Sequence, residues 1–364
     1  MKIEKLARKG IPDLAAYVPG RSIEEVEREY GKKRWVKLAS NENLLGPSPK
    51  AVRAMREEIR RVYFYPEGPC PKLRQALAKK FSLPERAVVV SNGADNLILM
   101  IANAFVDEGD EVVTGDPTFF VYANSALIMG GKVVKVKLRD HTHDLSAMAR
   151  AVNKRTKLVF LCNPNNPTGT IVSKASLDAF LNRLPKRVVL VLDEAYCDFV
   201  EDPSWPDGAD YVGEGRQVIC LRTFSKVYGL AGMRVGYALG REDLIDCLYK
   251  VREAFPVNRL ANVAALAALE DKEHEARSIR MVHEGKRYLY RELEKMGLFY
   301  VPTEANFMLI DFRRDVGEVF EKLLRQGVII RPGKIWGYPT AARVTIGRTN
   351  DNRRFIQALK KVLA

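Results

Sequence analysis

The chain has 364 residues, 47% of them hydrophobic and 29% charged, with a net charge of +14. That length exceeds what one hydrophobic core usually serves, so two subdomains are expected. No apolar run approaches the ~20 residues of a membrane span, and the opening MKIEKLARKG is charged where a signal peptide would be apolar, so a cytoplasmic protein without a membrane partner is expected.

The N-terminal segment, up to about Pro47, carries too few periodic elements to fold alone and is expected to join the C-terminal unit. From about residue 85, short β-rich runs alternate with helical patterns. AVVVSNG (87–93), DEVVTG (110–115), KVVKVKL (132–138), KLVFLCN (157–163), RVVLVLDE (187–194), QVICLRT (217–223) and RVGYALG (234–240) read as strands. Several are continuous apolar runs, as strands covered by helices on both faces of a mainly parallel sheet must be. After Gly240 the texture changes. REDLIDCLYKVREAF and the stretch 261–297 read as helical, and short strands follow at ANFMLIDF, GVIIRPG and RVTIGR. An α/β chain is expected, divided into an N-terminal segment (1–47), a large domain with a mainly parallel sheet (48–252) and a smaller α+β domain (253–364).

The five cysteines are scattered without a C-x-x-C pair, which suits reduced thiols buried as small hydrophobes. His141 and His143 in RDHTHDL read as a polar turn, and no metal site is expected. The 59 basic residues are interleaved with 45 acidic ones, and no arginine-rich tail or nucleic-acid module stands out. A diffuse basic surface that draws in anionic metabolites is expected, with no nucleic-acid partner.

Ligands of such sheets gather at the carboxyl ends of the strands, and the informative motifs fall there. SNGADN (91–96) ends one strand and opens a helix, whose first N–H groups suit a phosphate. DPTFF places Phe119 after the next strand, as a core ring or as one that stacks on a cofactor. NPNNPTG (163–169) is built of turn formers, yet seven consecutive residues of this kind exceed a turn's needs, and Asn166 offers an amide to a ring oxygen. DEAY ends a strand on Asp193, where a buried carboxylate can keep a pyridine nitrogen protonated; Tyr196 follows three residues on. Alone, the same acid is no more than a helix cap. In RTFSKVYGLAGMRVGY, Lys226 sits just past an apolar strand, where desolvation frees its amine to form a Schiff base with an aldehyde. Arg234 lies eight residues on, within reach of an anion near that lysine. Each signal is modest alone; in this order they describe one cofactor site.

These residues resemble the fold-type I pyridoxal-phosphate (PLP)-dependent aminotransferases, and most closely the histidinol-phosphate aminotransferases. The likeness runs through AYVPGRSIEEVEREYG, KLASNENLLGPSPKAV, YPEGPCPKLRQALA, FLCNPNNPTG, DEAY, LRTFSKVYGLAGMRVGYALG, ANFMLIDF and RVTIGR. The YVPG and NENLLGPSP segments point to the histidinol-phosphate branch. The resemblance implies pyridoxal 5'-phosphate bound to Lys226, which also moves the substrate proton. It implies Asp193 at the pyridine nitrogen, Tyr196 and Asn166 at the ring hydroxyl, and Phe119 stacked on the ring. Ala94, Asp95, Thr223, Ser225 and Arg234 would hold the cofactor phosphate. Tyr65 would reach that phosphate from the neighbouring subunit of a homodimer with shared active sites. Arg343 matches the clamp for an amino acid's carboxylate, and Arg331 and Tyr17 match positions that receive the phosphate of histidinol phosphate. Three departures stand out: Phe119 where many relatives have tyrosine, Asn96 where some have an acid, and Pro256 where asparagine is frequent.

The implied reaction is ping-pong transamination of L-histidinol phosphate with 2-oxoglutarate, giving imidazole acetol phosphate and L-glutamate in histidine biosynthesis. The alternatives are an aromatic amino-acid aminotransferase and, with less support from the N-terminal motifs, a threonine-phosphate decarboxylase. A regulator with an aminotransferase-like domain would need an added DNA-binding module, and the likeness begins within the first twenty residues.

Overall fold

The computed structural model describes residues 6–8, 10–12, 14 and 19–364. After a helix Ile23–Tyr30, whose Ser22 and Glu25 form a reciprocal capping box, the chain runs through β1 (Val36–Lys37). Helices Pro49–Glu58 and Pro71–Phe81 lead to the large sheet. Its strands are β2 (Val88–Ser91), β3 (Glu111–Asp116), β4 (Lys132–Lys137), β5 (Thr156–Cys162), β6 (Val189–Asp193), β7 (Val218–Thr223) and β8 (Gly236–Gly240). They lie in the order β2-β8-β7-β6-β5-β3-β4. All pairings are parallel except the two made by β8.

Alternation along the central strands explains the two covered faces. Leu158, Phe160 and Cys162 of β5, with Val189 and Val191 of β6, join one apolar cluster together with the helices Gly93–Phe105 and Glu242–Val251. Val159, Leu161, Leu190 and Leu192 point the other way, into a cluster with helices Leu145–Ala151 and Lys174–Leu181. Period-two side chains buried on both faces give the continuous apolar runs seen in the sequence. At the edge, β4 keeps Lys132, Lys135 and Lys137 on its exposed positions, which blunts further strand pairing.

The reversal at β8 follows from the short connection 224–235, which holds one 3-10 turn (Ala231–Met233) and no crossover helix. The loop therefore stays at the carboxyl end of the sheet, and it carries Lys226 and Arg234. Gly229 in this loop has φ +67° and packs onto the Gly46 carbonyl so tightly that a side chain would collide.

Beyond the large sheet come β9 (Phe299–Tyr300), β10 (Phe307–Asp311), β11 (Val328–Ile329), β12 (Arg331–Pro332) and β13 (Ala341–Thr345). A four-stranded antiparallel sheet has the order β12-β13-β10-β9, and β1 pairs in parallel with β11. The helical stretch 261–297 is not one element. It breaks into Arg259–Leu269 and Lys272–Lys295, because Asp271 turns its carboxylate to cap the His274 N–H and is held there by Ser48 Oγ at 2.5 Å. The histidine turn also differs from the reading above. His141 is at the turn with φ +64°, whereas His143 is buried against Gly115, where burial lowers it to about 4 and keeps it neutral.

Candidate functional site

Asp193, Cys162 and Thr223 are the last residues of β6, β5 and β7, and all three line one cavity of about 330 Å³. That volume lies in the range of small-ligand sites. Of the fourteen residues singled out above, twelve line it: Ala94, Asp95, Phe119, Asn166, Asp193, Tyr196, Thr223, Ser225, Lys226, Arg234, Arg331 and Arg343. Tyr65 is not among them. Its side chain lies on the surface, 79% exposed and stacked on Phe255. Tyr17 lies outside the described residues.

Lys226 extends from the β7–β8 loop with its amine 3.5 Å from the Ser40 carbonyl and 5.5 Å above the Tyr196 ring. Burial first, and then the Arg343 guanidinium, bring its amine down to about 8 against the opposing pull of Glu42 and Asp95. A substantial neutral fraction is therefore present near neutrality, as a nucleophilic amine requires.

Asp193, in the same cavity, is 3% exposed. Burial pushes its carboxyl up to about 6, against hydrogen bonds from Tyr122 Oη to Oδ2 (2.6 Å) and from the Ala195 N–H to Oδ1 (3.0 Å). In the same cavity two amides meet a phenol. Asn166 Nδ2 and Asn41 Nδ2 donate to Tyr196 Oη at 3.4 and 3.1 Å. Asn166 Oδ1 accepts from Arg343 at 2.7 Å, so the arginine fixes which way the amide faces.

A phosphate-sized cradle lies at one end. The helix Gly93–Phe105 starts without a side-chain cap, leaving its first N–H groups to be met by a ligand. Gly93 has φ +81°, and a Cβ there would come within 2.7 Å of the Arg234 guanidinium. Thr223 Oγ1 donates to Ser225 Oγ at 2.9 Å, and Arg234 sits 3.5 Å from Asp95. Uncapped amides, two hydroxyls and a guanidinium form a donor set for a phosphate dianion.

At the other end Arg331 and Arg343 are direct cross-strand partners of β12 and β13, both buried. Like charges opposite one another destabilise a sheet, and a bound anion relieves that cost. Arg343 is further held by the Ala39 carbonyl at 2.7 Å and lies over Trp336 and Phe307.

An aldehyde-bearing, phosphorylated pyridine fits this set: an amine that can be neutral, a buried carboxylate in the same cavity, and a phosphate cradle. Sequence reading missed Tyr122, Asn41 and Glu42. Tyr122 stands three residues after Phe119, and Asn41 and Glu42 lie within the NENLLGPSP segment already singled out, but nothing local shows which way they point.

Among the described residues no helix is long and apolar enough to cross a membrane. The family of class I and II aminotransferases matches residues 33–359. A histidinol-phosphate aminotransferase from Moorella thermoacetica is 52% identical, covering 98% of this chain and 93% of the relative. One from Caldicellulosiruptor saccharolyticus is 41% identical, covering 98% and 99%. The crystal structure of the histidinol-phosphate aminotransferase from Sinorhizobium meliloti in complex with pyridoxal-5'-phosphate superposes with a TM-score of 0.90 at 28% identity, covering 98% and 96%.

Proposed function

The chain belongs to the class I and II aminotransferases, and from that premise we propose that it transfers the amino group of L-histidinol phosphate to 2-oxoglutarate, in histidine biosynthesis. Pyridoxal 5'-phosphate, its cofactor, supplies when bound an aldehyde that condenses with amines and a ring that takes up electrons released at the α-carbon.

The reading rests above all on the paired Arg331 and Arg343 in the same cavity as Lys226. One substrate carries a phosphate and the other two carboxylates, and guanidinium groups bind both in bidentate fashion. Arg331 receives the phosphate of histidinol phosphate; Arg343 serves chiefly the glutamate half, since histidinol phosphate has no carboxylate. Tyr17 is assigned beside Arg331 on sequence similarity alone. The Nζ of Lys226 would hold the cofactor and, as a free amine, would take up and give back the substrate's α-proton. Asp193 holds the proton at the ring nitrogen. Tyr196 and Asn166 hold the ring hydroxyl, and Phe119 covers one ring face. Ala94, Asp95, Thr223, Ser225 and Arg234 hold the phosphate, with Asp95 contributing its backbone N–H and bracing Arg234. Because one site takes the two substrates in turn, the first product leaving before the second substrate enters, the kinetics are ping-pong.

The proposed protein is a cytoplasmic homodimer. Its five cysteines are unpaired, which suits a reducing compartment. Ile59, Val62, Tyr63, Phe64, Tyr65 and Phe255 form an exposed apolar surface, larger than isolated apolar side chains and suited to a second copy. From that surface Tyr65 reaches the partner's cofactor phosphate. Replacing Phe64 with glutamate should yield monomers that bind the cofactor at least ~10-fold more weakly, measured by sedimentation and cofactor titration; a stable dimer with unchanged affinity contradicts this placement. The division at residues 47 and 252 belongs to the same reading, supported by the β1–β11 pairing that ties the N-terminal segment to the C-terminal part.

Glutamate release from 2-oxoglutarate, driven by histidinol phosphate, tests the function. Arg331→Gln should lower kcat/KM for histidinol phosphate by about 10- to 100-fold, the worth of a charged hydrogen-bonded contact, while changing the glutamate half-reaction less. Equal loss in both halves contradicts the assignment of the phosphate to Arg331.

A further inference from the structure

Tyr122 belongs to no motif that carried the functional reading, yet it touches the acid at the centre of the site. It is fully buried on the helix Val121–Ile128. Its ring stacks on Phe160 of β5 at 4.8 Å with planes 11° apart, and meets Phe119 edge-on at 5.6 Å and 80°. These two contacts leave the ring one orientation, in which Oη lies 2.6 Å from Asp193 Oδ2. The other carboxylate oxygen takes the Ala195 N–H.

We propose that Tyr122 is a positioning residue for the cofactor's ring site, its hydroxyl fixing the orientation of Asp193 and keeping that carboxylate ionised for the ring nitrogen. The inference rests on the reading that Asp193 faces that nitrogen, and adds the residue that makes Asp193 fit for it. A buried carboxylate tends to take up a proton, and a protonated one offers the ring nitrogen no negative charge. The hydroxyl opposes that tendency. Burial and the neighbouring carboxylate hold the Tyr122 phenol far above its ordinary range, so it stays a donor and never competes for the proton. The other groups facing Asp193 do not replace it. Cys162 from β5 and Tyr196 from the turn after β6 are buried and neutral, with their own ionisation pushed up. Asp95, from the helix Gly93–Phe105, repels, and Lys226, from the β7–β8 loop, attracts only at a distance.

The test uses cofactor-free Tyr122→Phe protein, which keeps the ring and both aromatic contacts. Pyridoxamine 5'-phosphate is the probe, because it cannot condense with Lys226, and the lysine's titration is common to both proteins and drops out of their difference. Calorimetric affinities are taken from about pH 5 to about pH 9. The variant should match wild type within ~3-fold at the alkaline end. Its loss of affinity in acid should set in about 1–2 pH units higher, the shift that one hydrogen bond to a charged group provides. A shared acid midpoint, or a uniform loss at every pH as a packing defect would give, overturns the proposal. Asp193→Asn serves as the control. It should bind weakly throughout and lack the difference between the two proteins' acid limbs when combined with Tyr122→Phe. If Asp193→Asn keeps the wild-type profile, the placement of Asp193 at the ring nitrogen is itself wrong, and the role of Tyr122 falls with it.

Discussion

Lys226→Met should cut transamination by on the order of 10⁴–10⁶-fold while stabilising the cofactor-free chain at neutral pH. The activity loss combines two roles in one amine, cofactor capture and proton transfer, and single removals of such groups reach this range. Methionine keeps most of the stem's packing and discards the charge. The stability gain follows from the lowered amine. Its folded value is about 8, below the ~10.4 of an unfolded lysine. The unfolded chain therefore binds more protons between these values, and wild-type stability rises with pH across that window. Below it the buried charge costs its full amount, roughly 1–3 kcal/mol, with cavity water screening part of the penalty because the amine end faces the cavity. Thermal melts of the two apo proteins should differ most at about pH 7 and converge above about pH 10.5. Equal melting at pH 7, or a gap that widens with pH, contradicts a desolvated amine.

Asp193→Asn should lower kcat by on the order of 10²–10⁴-fold, since the amide cannot hold a proton at the ring nitrogen with a negative charge. Its stability effect has the opposite pH sense to that of Lys226. The folded carboxyl lies at about 6, above the ~3.9 of an unfolded aspartate. The folded state binds more protons between these values, so wild-type stability falls as pH rises through the window. Above about pH 6 the penalty is complete, on the order of 3 kcal/mol. The asparagine variant, with Oδ1 accepting from the Ala195 N–H and Nδ2 donating to Tyr122 Oη, should melt higher than wild type at pH 7.5 and lose that advantage near ~pH 4. A variant less stable at neutral pH contradicts the account. Both substitutions make the apo chain more stable and less active, as expected when an active site holds charges its fold alone would exclude.

The large sheet was legible because its strands are buried on both faces, and every run named from β2 to β8 is a strand. The reversal of β8 was not read, since strand direction depends on what the connection 224–235 can span rather than on composition. The break at Asp271 was missed for a related reason. Helical periodicity continues through it, and the cap is made decisive by Ser48, more than two hundred residues away. At the site, residues on strand ends could be placed from sequence because the end of a parallel strand is itself a location. Tyr122 could not, because its contact with Asp193 crosses from a helix to a strand end. Nor could the face-to-face placement of Arg331 and Arg343, which is a matter of register between β12 and β13.

A single turnover of the cofactor-loaded enzyme, followed by the bound cofactor's absorbance, decides which substrate the site takes. L-Histidinol phosphate, L-phenylalanine and L-threonine phosphate are mixed with it separately. Histidinol phosphate should give rapid conversion to the pyridoxamine form, at least ~10-fold faster than phenylalanine, and threonine phosphate should release no carbon dioxide. Faster conversion by phenylalanine, or carbon dioxide release from threonine phosphate, would contradict the assignment to histidinol phosphate.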